Sequence, residues 1–292
     1  MLTRDDFYSA AGVTQHAEFE QFLRQSLFDR EARESFYRKL IAIDPQHVRV
    51  DTFKPYFEEY AAERKSNMQD YTPDEISLIL ATITRTQLPA PDQYDGEDYS
   101  AADVTAGTGS LLIQKWWDDM ICESPWSYVP HRYFYFAQEL ADNAIPYLLH
   151  NLIMRGINAI VVHGDTLERT AKQVYFVQNS RDDYLGFSDL NVMPHSDAIA
   201  NALDLVGWQQ DPIDHIESPL EMVWRTALPS RKKTLKVATA HPKPYDPPSA
   251  HLQLKDIADI ERAQRGKVYP KGASSTTDKR NSRAVRMAEI AW

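Results

Sequence analysis

The sequence predicts an α/β protein: a core built on a parallel sheet, preceded by a lobe of helices. Three observations lead there. Residues 1–68 carry apolar side chains at helical spacing and show no strand alternation. Beyond residue 100, short runs of β-branched and aromatic residues alternate with apolar helical stretches, the pattern of βαβ units. A glycine turn, Gly107-Thr108-Gly109, stands between the first of these strands and its helix.

The elements follow in order. Glu18, Phe19, Phe22, Leu23 and Leu27 share one helical face, as do Phe36, Leu40 and Ile41. Asp51-Thr52 can cap a helix running through Tyr56, Phe57 and Tyr60. In QDYTPDEISLIL, Thr72 stands at a cap position and Pro73 at the first helical position, so a further helix starts there. Residues 86–100, with Pro89, Pro91 and Gly96, read as a loop. Ala101–Val104 is the first strand and 110–122 its helix. Strands are then expected at 132–137, 157–162 and 184–190, with a helix at 141–155. A further strand is expected at 235–240, a proline linker at 241–249 and a short amphipathic helix at 252–265. Three units result: a helical lobe over 1–68, an α/β core over 69–240, and a linker with a basic tail over 241–292.

A chain of 292 residues suffices for one large domain or two smaller ones. Its 43% hydrophobic and 25% charged residues exclude wholesale disorder and collagen-like repeats, and no run of 18 apolar residues provides a membrane span. The opening MLTRDDFYSAAG lacks the apolar segment of a secretory signal. Cys122 stands alone, which excludes an intrachain disulfide and a cysteine-rich zinc site and fits a cytoplasmic location. The net charge of −10 is unevenly spread: residues 230–292 hold 14 Lys and Arg against 6 Asp and Glu, and the rest of the chain 18 against 36. A basic tail on an acidic body can meet a polyanion, or can stay solvated or fold back on the body.

The chemistry centres on the turn Asp103-Val104-Thr105-Ala106-Gly107-Thr108-Gly109. Two glycines two apart allow a sharp turn and a close approach of backbone to a ligand, and the helix from Ser110 adds its N-terminal partial charge. A tight turn with no ligand is the alternative. Glu139, just past the second strand, stands where an acid can accept from ribose hydroxyls, or is a solvated loop acid. Asp165, after the third strand, can accept from an adenine amino group, or cap a following helix. The nine histidines show no HExxH spacing, and neither GxxxxGK[ST] nor GxSxG occurs, so metalloprotease, P-loop and α/β-hydrolase chemistry are unsupported. Trp116, Trp117, Trp208 and the aromatic run 133–136 read first as core, with base stacking as the alternative.

The ordered set QDYTPDEISLIL, DVTAGTGSLLI and FAQELADNAIPYLLHNLIMRGINAIVVHGDTL resembles the modification (DNA-methyltransferase) subunits of type I restriction–modification systems. The resemblance covers about residues 50–200. It implies a Rossmann-like, S-adenosylmethionine-dependent methyltransferase core that methylates adenine N6 in DNA. It also implies site roles. Tyr71, Thr72 and Pro73 flank the methionine end of the cofactor. Asp103 faces its amino group, and Thr105, Gly107, Thr108 and Gly109 shape the loop. Glu139 holds the ribose, and Asp165 lies near the adenine.

Members of that family place Asn-Pro-Pro-Phe or a variant after strand four, where the amide and a backbone carbonyl accept the adenine amino hydrogens and the ring stacks on the flipped base. Here the place reads FSDLNVMPH: Asn191 is the acceptor, Pro194 the nearby proline and His195 the stacking ring, although Val192 and Met193 stand where the pattern has its two prolines. All three are otherwise turn residues closing a strand. The tail string LQLKDIADIERAQRGKVYPKGASS resembles segments of the DNA-specificity subunits of the same systems. The expected partners are DNA, a specificity subunit and other restriction–modification subunits. The altered motif leaves a second reading open, a non-catalytic, methyltransferase-like subunit or decoy of that machinery.

Overall fold

The computed structural model describes residues 2–61, 99–122 and 128–218, together with Pro73, Ile76, Ser77 and Leu80. The expectations for 235–240, 241–249 and 252–265, and those for Tyr71 and Thr72, lie outside the described residues.

The N-terminal helices form for local reasons. In α1 (Arg4–Ala11), Thr3 and Asp6 make a reciprocal capping box, and Gly12 ends the helix in the left-handed region at φ 75°. Asp29 caps α3 (Arg30–Ile43) by accepting from Ala32 N. The apolar stripes of α1, α2 (His16–Ser26) and α3 bring Phe7, Phe19, Phe36 and Phe53 into mutual ring contact. After a 3-10 turn at Pro45–Arg49, a short α4 (Lys54–Tyr56) runs into a π turn at Phe57–Ala61.

Among the described residues, six strands form one sheet: β1 (Tyr99–Asp103), β2 (Tyr133–Glu139), β3 (Ala159–Asp165), β4 (Thr170–Gln178), β5 (Asp189–Val192) and β6 (Gly207–Trp208). The order is β1-β2-β3-β4-β5, with β6 beside β4. β1, β2 and β3 are parallel; β4 is antiparallel to both β3 and β5. The helices α5 (Ser110–Cys122) and α6 (Ile145–Met154) are the crossovers of two successive units stepping the same way, which puts both on one face of the sheet. That face carries Tyr133, Tyr135, Ala137, Val161, Tyr175 and Val192, and it shares one continuous core with the N-terminal helices. The other face, with Ile160, Val162, Val174 and Phe176, packs on α7 (Asp197–Ala202) and the chain around Trp208.

Two expectations are corrected here. The first strand starts two residues earlier, inside the expected loop. The fourth is also displaced: residues 170–178 form β4, and of the expected 184–190 only the last two join β5. The cause is a hairpin. Asp165 pairs with Thr170, and a four-residue turn with Arg169 at φ 56° reverses the chain. A hairpin leaves no chain for a crossover helix, so the second half of the sheet is a meander rather than further βαβ units. No described helix is long and apolar enough to cross a membrane.

Two buried histidines set an acid limit on stability, one of them tying the core to the lobe and the other lying inside the lobe. His150 on α6 accepts from Tyr37 OH at Nδ1 (2.6 Å) and donates from Nε2 to Leu23 O (2.8 Å). His47 contacts Thr52 Oγ1 at 2.9 Å. Burial pushes both down to about 3. In the unfolded chain they titrate at roughly 6.5. Below that pH the unfolded chain binds protons that the folded one refuses, so stability falls as pH drops through the window between the two values. Each contributes a slope of at most about 1.4 kcal/mol per pH unit. Urea midpoints between pH 7 and 5 are expected to fall, and His150→Gln is expected to flatten that dependence; an unchanged slope would remove His150 from this role.

Candidate functional site

The carboxyl ends of β1, β2 and β3 point the same way, and the loops leaving them form the site, as ligands in open α/β sheets require. Asp103 ends β1. It is 4% exposed, and its carboxylate accepts from Thr105 N at 3.1 Å. Burial raises this carboxyl, and the neighbouring charge of Glu139 pushes it the same way.

The turn that follows needs its glycines. Gly107 sits at φ 56° and Gly109 at φ 97°. A Cβ at Gly109 would also lie 2.9 Å from Leu148 Cδ1 on α6. The amides of this turn bond inward. Ala106 N donates to Gln138 O, Gly109 N to Ala106 O, and Gly107 N to Glu139 Oε2 at 2.7 Å. The N–H groups of Gly107 and Gly109 are thus taken by Glu139 and by Ala106. What the turn offers is its shape and the two acids beside it. Thr105 is exposed at its rim, whereas Thr108 is 1% exposed and turned inward.

Glu139 is half-buried. Its other oxygen, Oε1, accepts from Ala141 N at 2.8 Å, so both oxygens are fixed by backbone and each keeps acceptor capacity. Asp165 caps the β3–β4 hairpin turn rather than a helix: Oδ1 accepts from Leu167 N and Glu168 N. Thr166 Oγ1 donates to Val104 O at 3.0 Å and ties that hairpin to the glycine turn. His163, paired in register with Glu139, places Nε2 at 2.8 Å from Asp142 Oδ1. Pro73 is exposed, and its carbonyl accepts from Ile76 N and Ser77 N in one helical turn.

The side of the turn away from these acids holds residues that the motif reading passed over. Asp51, 8% exposed, caps α4 with Oδ1, which accepts from Phe53 N and Lys54 N at 3.0 Å each. Its Oδ2 accepts from Thr108 Oγ1 and from Ser110 Oγ. Asn151 Nδ2 donates to Asp51 Oδ1 and to Thr108 O, both at 2.8 Å. Arg155 holds the other end, donating to Asn151 Oδ1 and to the carbonyls of Val48 and Val50. The capping pattern at Asp51 was legible; its contact with the glycine turn was not.

The structure brings Asp103, Glu139, Asp165 and the glycine turn together, but it keeps Asn191 apart. Asp103, Ala137, Val161, Tyr175 and Val192 form one row across the five strands. Strands lie about 4.8 Å apart, so Val192 stands roughly 19 Å from Asp103. Asn191, next to it, is 0% exposed. Its Oδ1 accepts from Glu217 N and Ser218 N, and its Nδ2 donates to Ser218 Oγ. Pro194 is exposed and its carbonyl accepts from Ser196 N. His195 already stacks on Trp208, with centroids 3.9 Å apart and planes 9° from parallel. Asn191→Ala is expected to cost about 1–3 kcal/mol of stability, because two buried amides lose their acceptor. Chemical denaturation checks this, and an unaltered midpoint would contradict the contact.

Residues 46–185 match the family model for N-6 DNA methylases. The matched segment includes Asp51, Pro73, the glycine turn, Glu139 and Asp165, and ends before Asn191, Pro194 and His195. No curated protein and no solved structure matches the chain.

Proposed function

We propose that this chain binds S-adenosylmethionine at the carboxyl ends of β1–β3 and acts as an adenine-N6 DNA methyltransferase in a restriction–modification context. The observation that supports this best is the buried Asp103 carboxyl beside Glu139, around a turn with two positive-φ glycines, inside the segment that matches N-6 DNA methylases. Two neighbouring acids, one of them raised by its burial and further by the charge of the other, favour a cationic ligand. The cofactor carries an ammonium and a sulfonium, and when bound it supplies an electrophilic methyl group.

In this reading Asp103 receives the ammonium, and Glu139 accepts from the ribose hydroxyls with its remaining lone pairs. Asp165 uses Oδ1 for its own turn, which leaves Oδ2 to accept from the adenine amino group. Tyr71, Thr72 and Pro73 flank the methionine end, and Thr105, Gly107 and Gly109 line the turn. Thr108 supports it from behind. The basic residues of 230–292 meet DNA phosphates, which position a protein without reading sequence. A specificity subunit is the proposed partner that selects the target.

A second reading is favoured by Asn191. Its amide oxygen serves two backbone N–H groups, so accepting adenine amino hydrogens would leave those groups unpaired. A chain with a cofactor site but without its own base acceptor is a non-catalytic subunit or decoy of the same machinery. Calorimetric titration with S-adenosylmethionine, followed by transfer of its labelled methyl group to adenine-containing duplex DNA, separates the readings. Binding with transfer supports the enzyme, binding without transfer the subunit. Absence of binding by the folded chain overturns the enzyme and supports a subunit or decoy that lacks the cofactor site.

A further inference from the structure

We propose that Asp51 is a positioning residue for the cofactor turn, through which the N-terminal helical lobe controls cofactor affinity. This inference rests on the cofactor reading above. The turn is held from two sides. On the sheet side, Glu139 takes the Gly107 N–H. On the lobe side, the Asp51 carboxylate takes the hydroxyls of Thr108 and Ser110, which bracket Gly109. Asn151 donates to Asp51 Oδ1 and to the carbonyl of Thr108, so side chain and backbone of that residue are both anchored.

The same carboxylate is part of the lobe. Its Oδ1 caps α4 through Phe53 N and Lys54 N, while Arg155 holds the preceding turn by the carbonyls of Val48 and Val50. Asp51 thus takes five donors from three separate parts of the chain. The network is buried, so a lost acceptor there is not replaced by water without cost. A shift of α4 must move Oδ2, and with it the two hydroxyls of the turn. Gly107 and Gly109 have no Cβ, so the backbone of the turn resists bending least at these two positions. The anchor on Thr108 and Ser110 supplies the missing stiffness, so a ligand meets a turn that is already ordered.

The test compares cofactor affinity with stability in the full chain. Asp51→Ala is expected to weaken S-adenosylmethionine binding by about tenfold or more in calorimetry. Asp51→Asn is expected to restore affinity to within about threefold, because its carbonyl oxygen keeps the α4 cap and its amide can donate to the hydroxyls of Thr108 and Ser110. Tyr37→Phe removes a buried hydrogen bond elsewhere in the same lobe and is expected to lower the melting temperature at unchanged affinity. Wild-type affinity in Asp51→Ala overturns the proposal, and so does affinity that merely tracks melting temperature across all three variants. If Asp51→Ala fails to fold, Ser110→Ala carries the test, with a loss of about threefold expected and no loss overturning it. Should the wild-type chain bind no cofactor, the earlier reading fails and this one is still measurable. Amide hydrogen exchange at Ala106, Gly107 and Gly109 is then expected to quicken about tenfold in Asp51→Ala, or in Ser110→Ala where that variant fails to fold, and unchanged protection refutes the anchor.

Discussion

Arg33→Ala is expected to destabilise the protein by about 3–5 kcal/mol, the largest single effect on stability. Arg33 is 0% exposed on α3, and its guanidinium makes a bidentate pair with Glu217 and donates to Leu27 O at 2.9 Å. Glu217 in turn accepts from Leu190 N at 2.8 Å and contacts His215 Nε2 at 3.0 Å. The backbone beside it continues the sheet, with Val192 N donating to His215 O and Asn191 bridging Ile216. Removing the arginine leaves a buried carboxylate without its cation and detaches the lobe from the 215–218 edge. Two controls make this specific. Glu217→Gln added to Arg33→Met removes both charges and keeps the acceptor for Leu190, so the double variant is expected to recover much of the loss. A denaturation series of the three variants with strictly additive losses would show that the pair is not coupled.

Asp103→Asn is expected to weaken S-adenosylmethionine binding by about 10–100-fold while leaving the melting temperature nearly unchanged. A charge-assisted hydrogen bond is worth about 1.5–3 kcal/mol, and each 1.4 kcal/mol is tenfold. The asparagine carbonyl oxygen still accepts from Thr105 N, so the turn keeps its local bond. The wild-type chain also has a pH signature. Burial and Glu139 hold Asp103 above the usual carboxylate range. A cationic ligand favours the charged carboxylate and lowers that value in the complex, so binding releases protons and weakens as the carboxyl protonates in acid. In Asp103→Asn this dependence is expected to vanish. Equal affinity and equal pH dependence in both proteins would remove Asp103 from the cofactor site.

Part of this architecture can be read locally. The bounds of α5 follow from its apolar run, and β2 and β3 overlap the expected strands with bounds displaced by no more than three residues. The cap at Asp51 is a local pattern, and it forms. β4 was the miss. Its VYFV run at 174–177 carries β-branched and aromatic residues, and Asp165 before a polar turn is a hairpin cue, but direction within a sheet depends on the partner strand. The role expected for Asn191 was carried by order along the chain, and order gives no lateral distance. Four strand spacings separate it from the glycine turn.

By itself the sequence determined what short-range physics decides: helical periodicity, caps, the sharp Gly107–Gly109 turn and the acids at the ends of β1, β2 and β3. Steric limits on φ and hydrogen bonds between neighbours operate within a few residues, so they are written in the local pattern. Only the tertiary structure decided which polar groups meet. Asp51 reaches Thr108 and Ser110 across 57 and 59 positions, and Arg33 reaches Glu217 across 184. Such pairs form because a buried donor or acceptor must find a partner among whatever the packed helices and strands bring beside it, and that choice belongs to the whole fold.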